Sequence, residues 1–133
     1  MTVVIAVAAL VRDGRILLAH RHPDRAAYPD CWDLVGGHVD PDETPEQAVV
    51  RECAEEIGVR IHDPRPVAYG CSDPALTLHA FAVHAWDGDP VNAAPDEHDA
   101  LVWFGADDLA ALPLAHPAGR SDLEALARGR LAR

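Results

Sequence analysis

The chain has 133 residues, of which 49% are apolar and 25% are charged, a composition typical of one globular domain with a sizeable core. Its formal net charge is −11 at pH 7, and all 11 of its basic residues are arginines. So acidic a chain is a poor candidate for binding a nucleic-acid polymer, which requires a basic surface.

The N-terminal part of the chain predicts a hairpin and a short strand. Two apolar runs in VVIAVAALVRDGRILLAHR meet at Asp13-Gly14, a dipeptide that strongly favours a two-residue hairpin turn. A polar loop follows, and then the short strand WDLV, which ends at Gly36-Gly37. The opening TVVIAVAAL lacks a basic leader and is therefore predicted to be a strand rather than a signal peptide. With no apolar run of roughly 20 residues to cross a membrane, we expect a cytoplasmic protein with no membrane partner.

A helix with clear signals at both ends follows the Gly-Gly pair. Thr44 suits the N-cap, Pro45 the first helical position, and Gln47 completes a capping box. Gly58 suits the C-cap. The helix carries an apolar stripe that would pack on a sheet, formed by Val49, Val50, Cys53 and Ile57.

The C-terminal half predicts strands followed by helices. PVAYGC, ALTLHAFAVHAW and LVWF have strand patterns, ADDLAAL predicts a short helix from Ala106, and SDLEALARGRL predicts a terminal helix capped by Ser121. Strands interleaved with helices indicate an α/β or α+β fold in which helices cover a mixed sheet. Without repeats or a linker, residues 1–133 are predicted to form a single domain.

The three cysteines favour neither a disulfide framework nor a structural zinc site. Cys31, Cys53 and Cys71 are an odd number with no CxxC spacing. Because Cys53 lies on the apolar stripe of the helix, we expect it to be a buried free thiol.

Three glutamates of this helix lie on one side of it. Glu52, Glu55 and Glu56 fall within an arc of roughly 100°, so their like charges repel one another. They also lie near the C-terminal end of the helix, where the helix dipole disfavours negative charge. One interpretation is a solvated acidic face. The other is a site for Mg²⁺ or Mn²⁺, which bind carboxylates and phosphates together. Such an ion would stabilise phosphate charge and activate water, and a neighbouring carboxylate could accept the proton.

Residues 37–59, GHVDPDETPEQAVVRECAEEIGV, resemble the Nudix box. Its pattern is glycine, five residues, glutamate, seven residues, Arg-Glu, an aliphatic, any residue, Glu-Glu, any residue, glycine and an aliphatic. The matching positions are Gly37, Glu43, Arg51, Glu52, Cys53, Glu55, Glu56, Gly58 and Val59. The order of predicted elements also resembles the Nudix fold, an α/β/α sandwich with a mixed central sheet.

The resemblance implies metal-dependent hydrolysis of a nucleoside diphosphate linked to another group. Carried over by position, Glu52, Glu55, Glu56 and the carbonyl of Gly36 would be metal ligands, with Glu52 also a candidate general base. Glu43 and Arg51 would form a salt bridge that fixes the loop on the helix.

A fourth acid is implied by the MutT-like branch of the family, whose members often recruit one from a later loop. Glu97, six residues before Trp103, occupies the corresponding position. Its neighbours Asp96 and Asp99 could substitute for it.

Resemblance to the MutT-like branch also implies a substrate. Such enzymes convert a nucleoside triphosphate, including oxidised purines such as 8-oxo-dGTP, to the monophosphate and pyrophosphate. Arg21 would bind phosphate, Gly37 would approach the substrate, and His116 lies near the position that reads the base. Residues that could line the base pocket are Tyr28, Trp32 and His38. The sequence departs from the usual pattern at Val35 and Asp42.

Two alternatives stay open from the sequence. One is hydrolysis of another nucleoside diphosphate derivative, such as ADP-ribose or a nucleotide sugar. The other is a sensor that binds a nucleotide without cleaving it, which the complete set of box glutamates disfavours. The oligomeric state, monomer or homodimer, is also open.

Overall fold

The first two strands form the predicted hairpin. β1 (Val3–Arg12) pairs with the antiparallel β2 (Arg15–Arg21) through Val11 and Ile16. The turn residues Asp13 and Gly14 have φ values of 53° and 73°, the left-handed conformation that such a turn requires. The fold is described from a computed structural model covering residues 2–130. Met1 and residues 131–133, which belong to the predicted domain and, at Leu131, to the predicted terminal helix, lie outside this range.

The remaining elements follow the predicted order, with the differences described below. The strands are β3 (Trp32–Asp33), β4 (Val35–His38), β5 (Arg60–His62), β6 (Arg65–Val67), β7 (Leu76–Val83), β8 (Ala85–Asp87) and β9 (His98–Gly105). The helices are α1 (Pro45–Ile57) and α2 (Arg120–Ala127), and 3₁₀ turns span Ala106–Ala111 and Pro117–Gly119.

β1 is the centre of a mixed sheet. It pairs in parallel with β7 from Val3 to Leu10 and antiparallel with β4 from Ile5 to Ala8. β2 continues the sheet to β3 and β9, and β6 pairs with the far side of β7. The mixed sheet of the prediction is confirmed.

Helices cover the sheet on both faces. Along β1, Ala6, Ala8 and Leu10 point into the core under α1, whereas Val7 and Ala9 point into the core under α2, as the two-residue period of a strand requires. The α/β/α sandwich is therefore confirmed.

Several predicted elements were wrong in detail. WDLV is not one strand that ends at the Gly-Gly pair: β3 ends at Asp33, and β4 runs through Gly36 and Gly37, because both glycines pair with β1. The helix predicted for ADDLAAL is a 3₁₀ helix.

ALTLHAFAVHAW is two strands, because the chain leaves β1 after Val83 and β8 pairs with β5 in a separate small sheet. PVAYGC stops being a strand at Val67, because the next residues pack on the segment before α2, where Tyr69 contacts Gly119. Ser121 does not cap α2; the 3₁₀ turn leads into the helix, and Gly119 occupies the N-cap position.

Within residues 2–130, no helix is long and apolar enough to cross a membrane.

Candidate active site

Both ends of α1 are fixed as predicted. The Thr44 hydroxyl accepts from Gln47 N at 3.1 Å, Thr44 N donates to Gln47 Oε1 at 2.9 Å, and Gly58 ends the helix with φ 69°. Cys53 is buried on the apolar side as a free thiol, and burial raises its pKa to about 12. The helix is thereby held against the sheet, with Glu52 and Glu56 directed into a cavity beside β4.

Arg51 forms ion pairs with several of the acidic residues around α1. It pairs with Glu43 through Nη2 at 2.5 Å and donates to the carbonyl of His38 at 3.0 Å. Its Nη1 donates to Glu52 at 2.8 Å and to Glu55 at 3.2 Å. The hydrogen bonds from Arg51 hold the pKa of Glu43 below its ordinary value. One guanidinium thus joins the loop after β4 to the helix and offsets part of the repulsion among the acids.

Gly36 and Gly37 let the backbone of β4 pass between β1 and α1. A Cβ on Gly36 would lie 2.1 Å from the carbonyl oxygen of Ala6, and one on Gly37 would lie 2.7 Å from Cδ of Glu52. Any side chain at Gly37 would therefore displace the Glu52 carboxylate from its present place.

Glu56 is a buried acid whose environment disfavours its charge. Its side chain is 7% exposed, and its Oε2 has no hydrogen-bond partner among residues 2–130. Burial, a hydrogen bond with Glu52 and the charge of Glu97 raise the pKa of Glu56 well above its ordinary value. A solvated acidic face is therefore wrong for Glu56, and Glu52 is also largely covered, with 14% of its side chain exposed.

The loop before β9 brings Glu97 to this cluster. Val91 N and Ala93 N donate to the carbonyls of Ile57 and Glu56 at 3.0 and 2.9 Å, so the loop caps the C-terminal end of α1. Glu97 lines the cavity. The two neighbouring acids do not: Asp96 is exposed, and Asp99 hydrogen-bonds His20 at 2.7 Å.

The donor set fits a hard divalent cation. Glu52, Glu56 and Glu97 supply carboxylate oxygens to one cavity that Gly36 also lines, and the unpartnered oxygen of Glu56 would gain a partner from the ion. As the side chains stand, no three acidic, histidine or cysteine groups in the described range are arranged to chelate one ion. Glu55 is 58% exposed and bound to Arg51, so it would have to leave Arg51 to become a ligand.

The other half of the cavity, whose total volume is about 270 Å³, is largely apolar. Asp33 is a buried acid in its wall: Oδ1 accepts from Leu34 N at 2.8 Å, whereas Oδ2 lies 3.7 Å from Arg21 Nη1 and 4.0 Å from His116 Nε2. Burial raises the pKa of Asp33, and its neighbours His116 and Arg21 oppose that effect. The residues lining this half include Val3, Ile5, Tyr28, Asp33, Leu76, Leu78 and His116.

His116 reaches the cavity because its segment is bonded to β3. Trp32 N donates to Pro113 O at 2.8 Å, and Ala115 N donates to Trp32 O at 2.9 Å. The His116 ring then lies 4.9 Å from the ring of Tyr28, centre to centre. Tyr28 and His38 line the cavity as expected, whereas Trp32 packs against His20 and Phe104 instead.

Two arginines line the cavity: Arg21 at the end of β2, and Arg25 in the loop between β2 and β3. Arg21 is engaged by the fold, since Nε and Nη2 donate to Ala27 O at 3.0 and 2.9 Å. Arg25 is half-buried, and its guanidinium has no ion pair or hydrogen bond within 2–130. Arg25 is thus the better placed of the two to contact an anion.

Sequence reasoning missed three titratable residues of the cavity, Arg25, Asp33 and His98. Asp33 had a signal, since an acid inside the apolar run WDLV needs a reason to be buried. Arg25 and His98 had none, because their positions depend on how two loops fold over the end of α1.

Comparison with known proteins identifies the family. The NUDIX domain model matches residues 2–126. The chain is 39% identical to a CTP pyrophosphohydrolase of Escherichia coli over 100% of this chain and 98% of that protein. It is 35% identical to an NAD-capped RNA hydrolase of Stutzerimonas stutzeri, over 96% of this chain but 46% of that protein. A crystal structure of a MutT NUDIX hydrolase from Burkholderia pseudomallei superposes with a TM-score of 0.82 at 40% identity, covering 93% of this chain and 97% of that one.

The chain therefore belongs to the Nudix family, as its box predicted, and it is a hydrolase of that family. Nudix hydrolases act on small nucleotide substrates and generally use a divalent metal ion.

Proposed function

We propose that this enzyme hydrolyses a nucleoside triphosphate to the nucleoside monophosphate and pyrophosphate. The observation that carries the proposal is one cavity that joins three carboxylates, Glu52, Glu56 and Glu97, to an apolar half with Tyr28 and His116. The first half suits a metal–phosphate group, and the second suits a flat nucleobase. The CTP pyrophosphohydrolase that is similar over the full length of both chains supports the same reaction.

Mg²⁺ or Mn²⁺ is the proposed cofactor. Glu52, Glu56, Glu97 and the carbonyl of Gly36 would hold it, and Glu55 would join them after release from Arg51. When bound, such an ion offsets phosphate charge and lowers the pKa of a water molecule.

Two groups of the chain itself would act on the substrate. Glu52 is the candidate general base, because Gly37 fixes its carboxylate from one side while Arg51 donates to Oε1 from the other, and a held carboxylate can take a proton from attacking water. Arg25 would contact the phosphates, since its guanidinium has no partner within the described fold. Arg21 would hold the loop that carries Arg25.

The proposed base is one that carries an exocyclic amino group, with cytosine as the first candidate. Asp33 Oδ2 faces the cavity without a direct hydrogen bond, and a carboxylate that accepts from the N4 amino group is a favourable contact to cytosine. The CTP-cleaving relative favours the same base.

A second candidate is a dinucleotide with a diphosphate link. It is favoured by the 35% identity to an NAD-capped RNA hydrolase, of which this chain spans less than half.

The test is product analysis with Mg²⁺ and with Mn²⁺ over one panel of substrates. The panel holds CTP, UTP, ATP, GTP, 8-oxo-dGTP, ADP-ribose, a nucleotide sugar and NAD, with the Glu56→Gln variant as the blank. Metal-dependent monophosphate and pyrophosphate from a triphosphate, CTP first, is the expected result. Cleavage of NAD or ADP-ribose without cleavage of any triphosphate would favour the second candidate, a substrate with a diphosphate link. Nucleotide binding without cleavage anywhere would indicate a sensor.

A further inference from the structure

His98 is a buried histidine beside the carboxylates, at the first position of β9. Its side chain is 4% exposed, and neither ring nitrogen has a hydrogen-bond partner in the described part of the chain. Nε2 lies 3.7 Å from Oε1 of Glu56, whose Oε2 is also buried and unpartnered. Buried polar atoms without partners are rare in folded proteins, so three of them in two neighbouring side chains call for an explanation.

The fold fixes where the His98 ring can lie. Its backbone N donates to Ala94 O at 3.1 Å, and its carbonyl accepts from Nδ2 of Asn92 at 2.7 Å. The same loop is bonded to the end of α1 through Ala93 N and Glu56 O. The ring and the Glu56 carboxylate are therefore carried by two elements that are bonded together.

The chemistry of the pair suits a hydrogen bond. An imidazole ring carries an N–H donor in either protonation state, and a carboxylate oxygen accepts a hydrogen bond. A small rotation of either side chain would shorten 3.7 Å to the roughly 2.9 Å of an N–H···O bond.

We propose that His98 is a positioning residue for Glu56: its Nε2–H donates to Oε1 and leaves Oε2 directed toward the divalent cation. This inference rests on the proposed function, because His98 would orient the carboxylate of Glu56 for binding the divalent cation of that function. Groups that orient metal ligands in this way typically change metal affinity tenfold to 100-fold when removed.

Three substitutions separate this role from simple packing. His98→Leu removes both ring nitrogens. His98→Gln puts an amide donor near the position of Nε2, whereas His98→Asn puts one near Nδ1, so these two form a matched pair. For each protein, Mn²⁺ affinity is measured from the spin-resonance signal of the free ion, and the metal-free melting temperature shows that the variant is folded.

We expect His98→Leu and His98→Asn to bind Mn²⁺ about tenfold or more weakly than wild type, and His98→Gln to retain an affinity within about threefold of it. If His98→Leu does not fold, the comparison of the Gln and Asn variants decides. A folded Leu variant, or an Asn variant, that binds Mn²⁺ as tightly as wild type would overturn the role of His98 and leave the proposed function intact. A wild-type chain that does not bind Mn²⁺ would overturn both.

Discussion

At the scale of residues, Glu56 lies at a buried position that disfavours a charged carboxylate. It is buried near the carboxyl groups of Glu52 and Glu97, and one of its oxygens has no hydrogen-bond partner among residues 2–130. Without a cation, a neutral side chain would fit this place better than a carboxylate. The carboxyl group at this position therefore has a cost in stability for the metal-free fold, which is expected where a carboxylate binds an ion.

Replacing Glu56 or Glu55 with glutamine should therefore separate stability from activity. Both variants should lose roughly 100-fold or more in kcat, since each removes a carboxylate of the site. Only Glu56→Gln should raise the metal-free melting temperature, because Glu55 is exposed. Thermal unfolding with and without Mn²⁺, together with steady-state kinetics, measures both effects. Full activity in both variants would contradict their assignment as metal ligands.

Asp33 should determine which base is preferred. Asp33→Asn replaces an acceptor by a group that both donates and accepts, so the ratio of kcat/KM for CTP over UTP should fall by roughly tenfold to 100-fold. Rates with both triphosphates, measured on the same preparation, give the ratio. An unchanged ratio would exclude Asp33 from base recognition.

At the scale of elements, α1 was predictable and the loops around it were not. Thr44, Gln47 and Gly58 determine the ends of the helix through contacts within a few residues, and such contacts can be predicted from the local sequence. The approach of Arg25, Glu97 and His98 to the cavity depends on bonds between distant segments, such as Ala93 N to Glu56 O. Glu97 was found only through resemblance to a family, and Arg25 and His98 had no signal in the sequence.

Substitutions of Arg25 and Arg21 should distinguish an arginine that contacts phosphate from one that stabilises the fold. Arg25→Ala should lower kcat/KM about tenfold while the melting temperature stays nearly unchanged, because the guanidinium of Arg25 has no ion pair or hydrogen bond within the described fold that the variant would lose. Arg21→Ala should destabilise the fold by about 1–2 kcal/mol, since two hydrogen bonds to Ala27 O disappear. Kinetics and thermal unfolding of the two variants test the division of roles, and a destabilised Arg25→Ala with unchanged kinetics would reverse it.

The loop before β9 offers a similar comparison. Glu97→Gln should lower both Mn²⁺ affinity and kcat by roughly tenfold to 100-fold, because Glu97 lines the cavity. Asp96→Asn is the matched control, since Asp96 is exposed on the same loop. Equal losses in the two variants would mean that the charge of the loop as a whole matters, rather than the position of Glu97.

At the scale of the whole molecule, the sequence established the layers of the fold but not every strand. The apolar runs of the hairpin, the strands interleaved with helices and the stripe of α1 predict a sheet covered by helices, and the structure has both. The division of ALTLHAFAVHAW into β7 and β8 was missed, because each strand is defined by a partner far away in the chain: β1 for β7 and β5 for β8. The acidic half of the cavity was predictable because the box concentrates its residues in one segment. Of the apolar half, only Tyr28 and His116 were named from the sequence, because β1, β3, β7 and the segment before α2 contribute to it separately.

The net charge of −11 bears on the whole reaction. A chain with this charge repels a triphosphate at long range, so a bound cation must reverse the field at the cavity. The most direct test follows CTP with Mg²⁺ by phosphorus NMR and identifies the products. We expect CMP and pyrophosphate in equal amounts, and no reaction after removal of the metal with a chelator. CDP with inorganic phosphate, or cleavage that continues without a divalent metal, would contradict the proposed reaction.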